Sequence, residues 1–232
     1  MQRLQQVHVC ADPHAVAAAA LAYIVRLADD SRKPGAALHH LCIAGGTTPR
    51  TLYSLLPAAI DLRNVDLWFS DERMVPPDHA DSNFAMVQQA YLQRALHPPR
   101  VVHRIAGEHG ATAAADAMNA AAASTPGGLT FDLALLGVGA DGHTASLFPG
   151  DAAFVNTNPT GAAFVPARDG ARVSASFERL AAARQVIFVV TGASKASMLA
   201  ALPGSDLPAA RLAAALGPRA VWLLDADAAA QQ

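Results

Sequence analysis

Cysteine is nearly absent from this chain: Cys10 and Cys42 are the two in 232 residues. A disulfide framework is excluded at that size and count. Both thiols sit in apolar stretches, VHVC and LCIAGG, that read as buried and reduced. Charge is sparse too, at 16% of residues, with 17 Lys and Arg against 19 Asp and Glu. That near balance, with no basic run, leaves no electrostatic footprint for nucleic acid or an anionic membrane surface. No uncharged apolar stretch reaches the roughly 18 residues of a membrane span, and MQRLQQVHVCADP lacks the pattern of a signal peptide, so a cytoplasmic protein is expected. The sequence holds no H-E-x-x-H, no paired Cys motif and no G-x-S-x-G elbow. A metal, a cofactor and a serine nucleophile are therefore not expected.

What is present is apolar and periodic. Hydrophobic residues make up 52% of the chain, ample for one large core, and no repeat or linker interrupts it. A single domain over residues 1–232 is expected. Seven apolar, often β-branched runs recur: QVHVC, LHHLCIAGG, VDLWFSDE, VVHRI, FDLALLGVG, RQVIFVVTG and RAVWLLD. Between them lie helical signals. Asp12-Pro13 supplies a cap and a first-turn proline ahead of HAVAAAALAYIVRLA, and Thr48-Pro49 repeats the device. Ser82 is placed to cap NFAMVQQAYLQRAL, and Ser194 to cap KASMLAAL. Residues 108–123 are alanine-rich. Alternation of this kind predicts an α/β fold: a mostly parallel, Rossmann-like sheet with helices on both faces. Residues 148–171, rich in Pro, Gly and Asn, are long for a loop and read as functional or as hiding a short strand.

Ligands of open α/β sheets bind at the carboxyl ends of strands. Four such ends carry polar clusters here. In AGGTTPR, Gly45 and Gly46 let amides turn toward a ligand, Thr47 and Thr48 add hydroxyls, and a helix N-terminus favours an anion. The segment reads equally as a phosphate cradle or as a glycine turn with a threonine cap. Lys195 in TGASK is either a solvated lysine or a further charge on the same phosphate. A cation in a first helical turn opposes the helix dipole, which favours the ligand role. In SDERMV, Asp71, Glu72 and Arg73 read first as a local ion pair, although an arginine at a strand end also suits bidentate contact with an anion. His143, in a glycine-bounded turn, is a candidate general base, and Asp141 either orients it or braces the turn.

The turn GVGADGHTASLFPG also matches G-x-G-x-x-G, the dinucleotide-binding pattern. That reading fails on context. Such a fingerprint opens a full helix and wants an acidic residue about 20 positions on. Here Pro149 and Gly150 follow within two turns, and residues 156–163 contain no carboxylate.

Taken together, AGGTTPRTLY, WFSDERMVPPDHADSNFAM, FDLALLGVGADGHTASLFPG, VIFVVTGASKASML and VWLLDADAA resemble, in order, the segments of the 6-phosphogluconolactonase family, within the glucosamine-6-phosphate isomerase and deaminase-like superfamily. The resemblance spans nearly the whole chain. It implies a metal-free carboxylic ester hydrolase that opens 6-phosphoglucono-1,5-lactone to 6-phosphogluconate in the pentose phosphate pathway. By position, His143 is then the base that activates water and Asp141 its orienting partner. Gly45, Gly46, Thr47, Thr48, Asp71, Arg73 and Lys195 then lie on phosphate or sugar. Arg172 matches the family's substrate arginine best, with Arg168 the rival, because VPARDGARVSASF departs from the usual proline-rich stretch. Amides of residues 137–143 offer an oxyanion site. A deaminase of the same superfamily is expected to carry a different segment after its Gly-His step than the Thr-Ala-Ser-Leu-Phe-Pro seen here. A non-catalytic sugar-phosphate sensor would need a partner module for which the chain has no spare length. The implied partner is a small sugar-phosphate lactone, and a monomer is expected.

Overall fold

A computed structural model describes residues 4–155 and 161–231. The seven apolar runs become β1 (Val7–Cys10), β2 (His39–Ile43), β3 (Val65–Phe69), β5 (Val101–His103), β6 (Leu133–Leu136), β9 (Val186–Val190) and β10 (Ala220–Asp225). They form one parallel sheet in the order β1-β10-β9-β6-β2-β3-β5. The central strands β3, β6, β9 and β10 are buried along their full length, as expected of parallel strands covered on both sides. The sheet is flanked by α1 (Pro13–Ser31), α2 (Thr47–Leu55), α3 (Asn83–Ala90), α4 (Ala111–Ala123), α5 (Ala152–Val155), α6 (Phe177–Ala181), α7 (Ala196–Ala201) and α8 (Pro208–Leu216). Among the described residues, no helix is long and apolar enough to cross a membrane.

Two of the expected caps form. Asp12 accepts from the Ala15 amide with Pro13 at the first helical position, and Ser82 accepts from the Ala85 amide. Two do not. Helix α2 begins at Thr47 behind Gly46, whose φ of +108° a side chain rarely adopts, so Thr48 lies inside the first turn. Its hydroxyl instead meets that of Thr191 at 2.7 Å. Ser194 lies in a 3₁₀ turn, Ala193–Lys195, and makes no cap bond to α7.

The irregular segment does hide one short strand, at residues 164–167. A second, antiparallel sheet runs β4 (Asp71–Arg73), β8 (Arg172–Ala175), β7 (Phe164–Ala167). Residues 156–160 of that segment, where the absence of a carboxylate was noted, lie outside the described residues. The chain reverses its progression across the main sheet between β2 and β6. Strands β2, β3 and β5 lead one way; β6, β9 and β10 lead the other. That switch point leaves a crevice at the strand ends, and the small sheet stands beside it.

Candidate active site

Four strand ends converge on the crevice: the turns after β2, β3, β6 and β9. They line a pocket of about 290 Å³. Of the residues expected there, Gly45, Gly46, Thr47, Thr48, Asp71, Arg73, His143, Arg172 and Lys195 all line it. Asp141 does not line the cavity but holds a residue that does.

The turn after β6 is built to present His143. Val138 and Thr144 pair across it, Gly139 N–H donates to the His143 carbonyl at 2.9 Å, and Gly142 (φ +78°) turns the chain. A Cβ on Gly139 would lie 2.1 Å from the imidazole, so glycine there is what admits the ring. No α-helix follows Gly142 before α5, which disposes of the dinucleotide reading. His143 Nδ1 lies 2.5 Å from Asp141 Oδ1, and the His143 amide donates to the same oxygen at 3.2 Å. Asp141 therefore does both things considered for it, orienting the ring and bracing the turn. A carboxylate can only accept, so Nδ1 is the donor of this contact, and in the neutral tautomer that fits it Nε2 carries the lone pair. Burial acts to raise the Asp141 carboxyl, but the bonds from His143 outweigh it and hold it below its ordinary value. The amides of Gly139, Gly142 and His143 are engaged within the turn, which leaves an oxyanion site made of those three without donors.

Cations line the same pocket. Lys195 Nζ donates to the Val138 carbonyl at 2.8 Å, and burial lowers its pKa despite Asp141 nearby. Arg172 Nη1 lies 3.8 Å from Asp71 Oδ2, and burial, then the neighbouring Arg73, lower the guanidinium. Arg168 lies outside the lining and stacks on Phe148 instead. The local ion pair expected of Asp71, Glu72 and Arg73 is not formed. Glu72 is buried and accepts from the amides of Arg73, Asn83 and Phe84 and from Ser82 Oγ. Arg73 reaches the Asp81 carbonyl at 2.6 Å, and its buried Nε has no partner among the described residues. Asp71 accepts from Ser70 Oγ and Ser146 Oγ, which ties β4 to the His143 turn. Freed of Glu72, Arg73 faces the pocket.

In the sequence Asn83 stood out only as the first residue after the Ser82 cap. It also lines the pocket, donates from Nδ2 to the Asp71 carbonyl, and fills the space where a Cβ on Gly45 would sit. Thr191 and Ala145 of the lining were missed as well, as was Phe148 against the His143 ring; only the hydroxyl of Thr191, beside Lys195, offered a signal. The amides of the first turn of α2, with no side-chain cap, open toward the cavity and favour an anion there.

Fold and site together define an α/β protein with a cation-lined pocket and a His–Asp pair at its switch point. The family model for glucosamine-6-phosphate isomerases/6-phosphogluconolactonase matches residues 11–222, and the chain belongs to that family. A 6-phosphogluconolactonase of Streptomyces coelicolor is 36% identical over 234 residues, covering 92% of this chain and 89% of the relative. One from Aggregatibacter actinomycetemcomitans is 34% identical over 200 residues, 82% and 86% of the two chains. Among solved structures, the 6-phosphogluconolactonase from Trypanosoma cruzi superposes with a TM-score of 0.83 at 27% identity, covering 99% of this chain and 97% of that one.

Proposed function

We propose that this protein hydrolyses 6-phosphoglucono-1,5-lactone to 6-phosphogluconate, with His143 activating the attacking water. The observation that carries the mechanism is the 2.5 Å contact between His143 Nδ1 and Asp141 in a pocket walled by cations and open amides. The phosphate lies against the first turn of α2, where amides, Thr47, Thr48 and the Lys195 ammonium supply donors. Arg73 and Arg172 take sugar hydroxyls and the carbonyl end, with Asp71 fixing Arg172.

With Nδ1 protonated against Asp141, Nε2 takes a proton from water as its oxygen attacks the lactone carbonyl carbon. The imidazolium is stabilised by the adjacent carboxylate, and the tetrahedral oxyanion by the cationic wall. Collapse of the intermediate breaks the bond to the ring oxygen. That oxygen receives the proton back from Nε2, and the new carboxylic acid ionises. No electrons change hands.

The activity is tested with freshly generated lactone in a pH-stat, corrected for spontaneous opening. Acid release above background is expected. Release of ammonia from glucosamine 6-phosphate instead would overturn the assignment in favour of the deaminase branch. We further propose that the enzyme works as a single-domain monomer in the cytoplasm, a reducing compartment suited to its free thiols Cys10 and Cys42.

A further inference from the structure

One apolar side chain lies against the His143 ring and has no part in the chemistry so far. Phe148 closes the same turn that carries His143 and is 5% exposed. Its ring centre lies 4.3 Å from that of the imidazole, the planes tilted by 36°. The Arg168 guanidinium stands over the same ring at 4.1 Å from its centre, and that of Arg172 at 5.7 Å. Arg168 is held there by its backbone. Its amide donates to Asp151 Oδ2 at 2.8 Å, and its φ of +52° sets it in a tight turn between β7 and β8. The imidazole thus has a carboxylate in its plane at Nδ1 and an aromatic ring against it.

We propose that Phe148, covered by Arg168, is a positioning residue for His143, and that Arg168 acts through this ring rather than on substrate. A buried ring fixes the imidazole plane so that the Asp141 bond stays short and Nε2 keeps one direction. Its negative π-face also attracts a cation, so it favours the imidazolium that forms when His143 takes the proton. A leucine of similar bulk would fill the space and keep water out but would lack the quadrupole. The other charged groups around the imidazole are Asp141 on its own turn, Lys195 after β9, Asp71 and Arg73 on β4, and Arg172 on β8. Of these, Arg172 alone also stands over the Phe148 ring, as Arg168 does, and the aromatic variant Phe148→Tyr keeps a ring for both.

The catalytic half of this inference rests on the proposed general-base role; the positioning half does not. The test compares Phe148→Leu, Phe148→Tyr and Arg168→Ala with wild type by NMR titration of the His143 ring in the free protein and by steady-state kinetics on the lactone. Phe148→Leu is expected to lower the His143 titration midpoint by about half a pH unit, the size of an exposed cation–π contact. Its kcat should fall about threefold with KM unchanged, the rate equivalent of that shift, and Phe148→Tyr should restore both. Arg168→Ala, in an exposed turn, should lower kcat and leave KM alone. A wild-type midpoint in Phe148→Leu would overturn the ring's role whether or not the lactone is the substrate. A raised KM with unchanged kcat in Arg168→Ala would overturn its indirect role and make it a substrate contact. A shifted midpoint in a protein that opens no lactone would sink the proposed activity and keep the positioning.

Discussion

An imidazole must place its one proton on one of two nitrogens, and here a carboxylate makes the choice. Asp141→Asn lets an amide donate to Nδ1 instead, which moves the proton to Nε2 and removes the base. The account predicts a fall in kcat of about two to four orders of magnitude with KM little changed, measured by steady-state hydrolysis of fresh lactone. Because Asp141 sits below its ordinary value, its contribution to stability is present above about pH 4. It is lost as the pH falls through the lower folded value. At the glycine loop the constraint is steric. A Cβ on Gly45 would lie 1.8 Å from Asn83 Oδ1, and Asn83 is fixed at both ends by Asp71 and Glu72. Gly45→Ala should cost about 1–3 kcal/mol in urea denaturation and weaken phosphate binding together.

Among the elements, strands carry the site and loops dress it. The seven strands of the main sheet were legible because buried parallel strands are written as continuous apolar runs. The small sheet was not: β4 is the polar triplet Asp71–Arg73, β7 contains Pro166, and their pairing with β8 is long-range. Helix α8 also escaped notice, although Pro208 at its first position was a usable start signal. Both misjudged caps, Thr48 and Ser194, sit at strand ends where the hydroxyls or the turn face the cavity. Thr48 lines the cavity and pairs with the Thr191 hydroxyl, and Ser194 lies in the turn that carries Lys195, so neither serves its helix as a cap. At Lys195, burial at such an end costs the ammonium unless an anion arrives. Lys195→Ala should raise KM by about one to two orders of magnitude with a smaller effect on kcat, the loss of one charge-assisted contact read by kinetics. On the other side of the sheet's centre, Trp68 Nε1 donates to His40 Nδ1 at 3.2 Å, and burial lowers the His40 pKa. The folded state therefore binds fewer protons than the unfolded chain just below pH 6.5, and stability falls as pH drops through that window. His40→Asn keeps an acceptor for the indole and removes the titration. Its melting temperature should fall less steeply than wild type between pH 6.5 and 5, followed by calorimetry.

At the scale of the molecule, both sheets drain into one hydrophobic cluster that includes Phe164 and Val173 of the small sheet beside Trp68 and Phe188 of the large one. A single domain should unfold in one calorimetric transition whose van't Hoff and calorimetric enthalpies agree; two separable transitions would contradict it. The fold explains why distant residues share one pocket: the switch point between β2 and β6 brings the Gly45–Thr48 turn and the His143 turn to the same cavity. The direct test of the central claim is the opening of freshly made 6-phosphoglucono-1,5-lactone, corrected for the spontaneous rate, by wild type and His143→Ala. A loss of about two to four orders of magnitude in kcat, with phosphate-ligand binding retained, is the predicted result. Equal rates for the two proteins would contradict it.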